Sequence, residues 1–117
     1  MATIKELQEK LNLKALTEIE DESRKINGGC VCDLLSWVMA RGEEGMAWVT
    51  VQTHLNVVAV ACLHDFSCVI IPESIEVPKP TLEKAAEEGI VFFSSPETSY
   101  EVCCAMFDAG VVNKKEN

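Results

Sequence analysis

Four short apolar runs, each handing over to a helical pattern, constrain this chain more than any other feature. They are Cys30-Val31-Cys32, Ala47 to Val51, Cys68 to Ile71 and Ile90 to Phe93. Each is short for a helix and too continuously apolar for a strand with one wet face, so each reads as a strand covered on both sides. The stretches that follow, Asp33 to Ala40, His54 to Leu63, Thr81 to Glu88 and Glu97 to Ala109, carry helical spacing. Strands joined in this way lie parallel, and right-handed crossovers put the helices on the sheet faces. The expected class is α/β: three layers, α/β/α, around a mostly parallel sheet of four to five strands.

Punctuation sets the boundaries. Thr3 caps a first amphipathic helix through Leu11, with Ile4, Leu7 and Leu11 on one face. Leu13 to Leu16 is a short extended segment, and Thr17 to Ser23 an acidic polar loop. Asp33 stands at the N-cap of the next helix, which Gly42 or Gly45 ends. Gly89 is placed as the C′ residue of the helix from Thr81, and Ser94-Ser95-Pro96-Glu97 reads as a cap, a Pro at N1 and an acid in the first turn. Gly110 closes the last helix. One domain spans 1–117, with helix and acidic loop leading in over 1–25 and a flexible tail over 111–117.

The 117 residues carry a formal net charge of -9, and no element gathers Lys and Arg. A phosphate backbone or an anionic bilayer would therefore be repelled, so neither nucleic acid nor membrane is expected as a partner. The start lacks a basic and then apolar leader, and no apolar run is long enough to span a bilayer, which makes a cytoplasmic location the expectation. Six cysteines, Cys30, Cys32, Cys62, Cys68, Cys103 and Cys104, fall within or beside apolar runs and read as small core hydrophobes. Cys30 and Cys32 would share a strand face, but no Cys/His spacing completes a tetrahedral set, and neither metal nor cofactor is expected.

In parallel sheets the carboxyl ends of the strands carry the site. Here those ends are Cys32-Asp33, Gln52-Thr53-His54, Pro72-Glu73 and Ser94-Ser95. Asp33, Thr53 and Ser95 are each also explained as helix caps, and His54 and His64 as capping or solvent-facing rings. Gly28-Gly29 lacks the further Gly and the Lys-Ser/Thr of a phosphate loop. Trp37 and Trp48 read as packing residues. The helix after His54 is apolar almost all round, and with the helix over 33–40 it offers more apolar surface than one small domain covers. A two-fold homodimer is therefore expected, with Trp37, Val57 and the segment around Gly28-Gly29 at the contact.

Two blocks resemble the DRTGG domain family: Ser23-Arg24-Lys25-Ile26-Asn27-Gly28-Gly29 with Asp33 to Ala40, and Trp48 to Ala61. The likeness covers nearly the whole chain. It departs at two name-giving positions, where Ser23 stands for the acidic residue before Arg24 and Asn27 for the Thr before the glycine pair. The resemblance implies a regulatory module similar to the N-terminal domain of HPr kinase/phosphorylase, without its catalytic P-loop domain. Such modules occur beside CBS domains in regulated pyrophosphatases and in phosphate acetyltransferases. It adds Arg24, Asn27, Gly28 and Gly29 to Asp33, Gln52, Thr53, His54, Ser94 and Ser95 as candidate ligand-binding residues. The expected function is a non-catalytic regulatory or assembly domain that dimerises, senses a nucleotide or small anion and meets a protein partner. The alternative is a small thiol or metal redox protein, or an enzyme, using Cys30, Cys32 and His54.

Overall fold

The computed structural model describes residues 2–115. In chain order these form α1 (Ile4–Leu11), β1 (Lys14–Ala15), β2 (Gly28–Val31), α2 (Leu35–Arg41), β3 (Met46–Val49), α3 (Leu55–His64), β4 (Cys68–Ile71), α4 (Lys79–Glu87), β5 (Phe92–Ser94) and α5 (Ser99–Asp108). The strands make one sheet in the order β1-β5-β4-β3-β2. β2 to β5 run parallel and only β1 is antiparallel, pairing Lys14 with Ser94 and Ala15 with Phe93. The fold is the expected α/β class.

Chain direction decides which helix lies on which face. From β2 to β5 every crossover steps the same way across the sheet, so α2, α3 and α4 fall on one face. There Trp48, Val69 and Phe92, aligned in register across three strands, pack with Val38, Val57, Val58, Ala61, Phe66 and Ala85. The residues between them, Val49, Ile70 and Phe93, point to the other face, where α1 and α5 bring Ile4, Leu7, Val102 and Met106. Because β3 and β4 are buried along their whole length, their sequences are unbrokenly apolar.

β2 departs from that rule. It is an edge strand: Cys30 and Cys32 are half-buried and the Val31 side chain is 58% exposed, so the run is not the fully covered strand that its composition suggests. The indole Nε1 of Trp48 pins the strand's end by donating to the Cys32 carbonyl at 2.9 Å.

Thr3 caps α1 in a reciprocal box with Glu6, as its position implies. Asp33 does not cap α2; Leu34 occupies the N-cap with no side-chain hydrogen bond, because the Asp33 carboxylate is engaged across the sheet. Nor do Ser94 and Ser95 cap α5. That helix starts at Ser99, with Thr98 and Glu101 forming a second capping box. α4 begins at Lys79 rather than Thr81, with Pro80 in its first turn, and Gly89 follows it with φ +70°, the expected C′ geometry.

Three packing expectations also change. Trp37 is 52% exposed, lying under the Arg41 guanidinium at 5.0 Å, while Val57 is fully buried and cannot stand at an interface. Of the cysteines only Cys68 is fully buried, whereas Cys30, Cys32, Cys62 and Cys103 are half-buried and Cys104 is exposed. The tail is anchored at Val111 and Asn113. Val111 is buried, and the Asn113 side-chain amide accepts from Gly29 N–H at 2.6 Å and donates to Gly29 C=O at 3.0 Å. Glu116 and Asn117 lie outside the described residues.

Candidate functional site

The ten candidate residues do not converge. Arg24, Asn27 and Gly28 lie at the amino ends of the strands, Asp33, Gln52, Thr53 and His54 at the carboxyl ends of β2 and β3, and Ser94 and Ser95 at the carboxyl end of β5. Gly29 is within β2, on the outer edge. β4 separates β3 from β5, so the serines stand about 10 Å from the β3 group by strand spacing alone.

The amino-end group is consumed by structure. Arg24 closes a clamp on Asp65, its Nη1 at 3.2 Å from Oδ1 and its Nη2 donating to the Asp65 carbonyl at 2.5 Å. Asn27 donates its main-chain N–H to Gly45 C=O at 2.8 Å, and its amide packs against Gly45, whose φ of +79° leaves no room for a side chain. Ser67, buried, donates its hydroxyl toward the Lys25 and Gly45 carbonyls, both at 2.8 Å. These bonds tie the loop before β2 to the turns before β3 and β4. Gly28 and Gly29 are small because the tail and α5 approach them: a Cβ at Gly28 would lie 2.5 Å from Asn113 Oδ1, and one at Gly29 2.9 Å from Met106 Cε.

The carboxyl-end group is more open. Asp33 Oδ1 accepts from Thr50 Oγ1 and from Val51 N–H, both at 2.9 Å, and Gln52 Nε2 donates back to the Asp33 carbonyl at 3.2 Å. Asp33 thus braces β2 against the turn that leads into α3. Thr53 lends its carbonyl to Thr81 Oγ1 at 2.7 Å, which ties that turn to the first part of α4. His54, not Thr53, is the N-cap of α3, its Nδ1 accepting from Asn56 N–H at 3.1 Å. An accepting Nδ1 places the ring proton of neutral His54 on Nε2. His64, by contrast, sets Nε2 against the Val38 and Met39 carbonyls at 2.9 and 3.0 Å, at the end of α2.

Beside this turn lies a cleft of about 400 Å³, lined by Val51, Gln52, Thr53, His54, Leu55, Pro78, Pro80 and Thr81. Most of that lining, Val51, Leu55, Pro78, Pro80 and Thr81, comes from residues that the sequence reading left out of the site. Pro78, Pro80 and Thr81 read as loop punctuation and as a cap, and only the packing of α4 against α3 turns them toward His54. The cleft's polar groups are hydrogen-bonding rather than ionic, with no Lys or Arg in its lining.

The β5 end is closed. Ser95 is buried, its Oγ accepting from Glu97 N–H at 3.1 Å, and the β4–α4 loop seals the crevice with bonds from Glu73 N–H to Glu97 C=O and from Ser74 N–H to Ser95 C=O. Glu73 and Ser74 hold positive φ, 58° and 54°, to make that seal.

Burial disfavours the thiolate at four of the cysteines. Burial first, then the neighbouring Cys32 and Cys103, push the Cys30 thiol up; burial raises Cys103 and Cys62 as well, and sends Cys68 up to about 12. A raised thiol is a weaker nucleophile at neutral pH because less of it is thiolate. Among the described residues no three His, Cys, Asp or Glu side chains gather as metal ligands.

No family model matches the chain, and no curated protein matches it in sequence. Among solved structures the chain is similar to the crystal structure of the CBS and DRTGG domains of the regulatory region of Clostridium perfringens pyrophosphatase, complexed with its activator diadenosine tetraphosphate. The TM-score is 0.77 at 15% identity, over 98% of this chain and 51% of that one, so the chain spans about half its length. Identity this low speaks to architecture alone, and the architecture is DRTGG-like.

Proposed function

We propose that this chain is a non-catalytic regulatory module which binds a nucleotide or other small anionic ligand in the cleft headed by His54. The observation that carries the reading is the fold likeness, over 98% of the chain, to a region that acts in regulation rather than in turnover. The cleft supports it. It lies at the carboxyl ends of the strands, where parallel sheets bind ligands, and it meets the N-terminus of α3, where a helix favours negative charge. His54 Nε2–H, the Gln52 amide and the Thr53 hydroxyl are donors carried by its lining, and no Gly-Lys-Ser/Thr phosphate loop stands among its residues.

Thermal unfolding with diadenosine tetraphosphate, ATP and inorganic phosphate tests this. A ligand at one hundred times its Kd stabilises the folded chain by about 2.7 kcal/mol, which is a shift of several degrees. His54→Glu, which sets a negative charge in the cleft, should abolish the shift while the chain stays folded. Failure of every nucleotide to stabilise folded protein, or ATP turnover that survives repurification, overturns the reading.

The module is further proposed to pair with a second copy through the outer faces of α2 and α3, where Leu34, Trp37, Leu55 and Leu63 are exposed. Trp37→Glu should then sediment as a folded monomer, and unmodified protein that is already monomeric at micromolar concentration would reject the pairing.

A further inference from the structure

We infer that the outer edge of β2 is a docking slot for an extended, acid-flanked apolar segment of another polypeptide, joining the sheet as a strand beyond β2, and that Asn113 partly occupies it. In a parallel ladder alternate residues turn both main-chain groups to the same neighbour. Cys32 turns its N–H to Val49 C=O in β3, so Gly29 and Val31 turn theirs away from the sheet. The Gly29 pair meets the Asn113 amide, which accepts one hydrogen bond and donates another, as the peptide group of an added strand would. The next outward pair, that of Val31, has no partner among the described residues.

A groove of about 340 Å³ runs beside this edge, between β2 and α5 with the tail. Val31, Met106, Phe107, Val111 and Val112 make it apolar, and Val31, Phe107 and Val112 are each more than half exposed. An added strand would present alternate side chains to that groove while its backbone took up Val31. Charge selects the occupant. In a chain with 19 acidic and 10 basic residues, Lys115 is the charged side chain of the lining among the described residues. A segment with apolar residues and a flanking carboxylate to meet Lys115 is matched to that lining.

The test uses the intact chain and a fluorescein-labelled heptapeptide of sequence Glu-Val-Thr-Val-Thr-Val-Glu. Anisotropy follows binding, and amide NMR follows the Gly29 and Val31 N–H groups. Expected are saturable binding, shifts centred on those two amides, about tenfold weaker binding when Lys replaces both Glu of the peptide, and loss of binding in Val31→Glu. Asn113→Ala, which vacates the Gly29 rung, should bind severalfold more tightly. Should Asn113→Ala unfold, Val31→Pro takes its place: it removes the outward N–H on an exposed edge and should lose binding while the chain stays folded. Unmoved Gly29 and Val31 amides at millimolar peptide overturn the inference. So does self-association that Val31→Glu abolishes while the peptide leaves the protein unchanged, which would give the slot to a second copy.

Discussion

The two ends of the sheet carry polar residues of similar kinds and use them in opposite ways. At the amino end Arg24, Asn27, Ser67 and Asp65 spend their hydrogen bonds on one another's loops, and Gly45 lets two backbones close up against a side chain. At the carboxyl end Asp33 and Gln52 brace a turn, but His54 keeps Nε2–H turned from its own cap bond and a cleft stands open beside it. The motif that draws the eye in the sequence is therefore a structural joint. The proposed sensing surface joins three strand-end candidates, Gln52, Thr53 and His54, to Pro78, Pro80 and Thr81, which read only as helix punctuation. A closed network tolerates change poorly, and an open cleft tolerates it well, so substitutions at the two ends should separate stability from binding.

The largest expected effect is at the joint. Gly45→Ala puts a side chain at φ +79° and against the Asn27 amide, combining left-handed strain with overpacking; denaturant unfolding should show a loss of about 3 kcal/mol. A stable Gly45→Ala protein would break the claim that this end is a tightly closed joint.

Asp33→Ala comes next, and it sharpens the contrast because Asp33 braces Gln52, which lines the cleft, without lining it itself. Its carboxylate satisfies the buried Thr50 hydroxyl and Val51 N–H, so its removal should cost about 1–2 kcal/mol and weaken nucleotide stabilisation by releasing Gln52. Equal affinity in Asp33→Ala, measured by calorimetry on folded protein, would detach the brace from the cleft.

Arg24→Ala should do less. Its ion pair with Asp65 is open to water on the Asp65 side, so a loss of about 1 kcal/mol is expected, with ligand affinity unchanged. Binding abolished in folded Arg24→Ala would move the site to the amino end.

The smallest effect is in acid. Hydrogen bonds from Thr3 hold the Glu6 carboxyl below its usual range, and those from Thr98 do the same for Glu101. A carboxyl depressed in the folded state contributes stability above its unfolded pKa and loses it as pH falls through the folded value. Both groups are fully exposed, so urea midpoints between pH 6 and pH 3 should drop slightly, and less steeply in Glu6→Gln. An unchanged acid limb would leave that capping box without electrostatic weight.

Much of this fold is legible along the chain. Met46–Val49, which ends before Thr50, and Cys68–Ile71 are strands because nothing polar interrupts them, and Thr3-x-x-Glu6 announces a capped helix because its two side chains satisfy nearby orphan groups. Such signals are local, decided within a few residues by hydrogen-bonding types and apolar spacing, and the class and the strand-helix alternation follow from them.

What packing alone decided is where each element stands. Cys30-Val31-Cys32 and Cys68 to Ile71 are alike in composition, yet one is an edge and the other central; only the strand order, a matter of long-range pairing, distinguishes them. Asp33 and Ser95 have the chemistry of caps, but Asp33 stands just before the N-cap of α2, Leu34, and Ser95 well before that of α5, Thr98. The Asp33 carboxylate goes to Thr50 and Val51, which tertiary folding brings near, while the Ser95 hydroxyl closes a local turn with Glu97 N–H. The same holds for the cleft and the tail. Pro78 and Thr81 reach His54, and Asn113 reaches Gly29 across 84 residues, because helices packed on a common sheet bring distant segments together, a proximity that spacing along the chain does not encode.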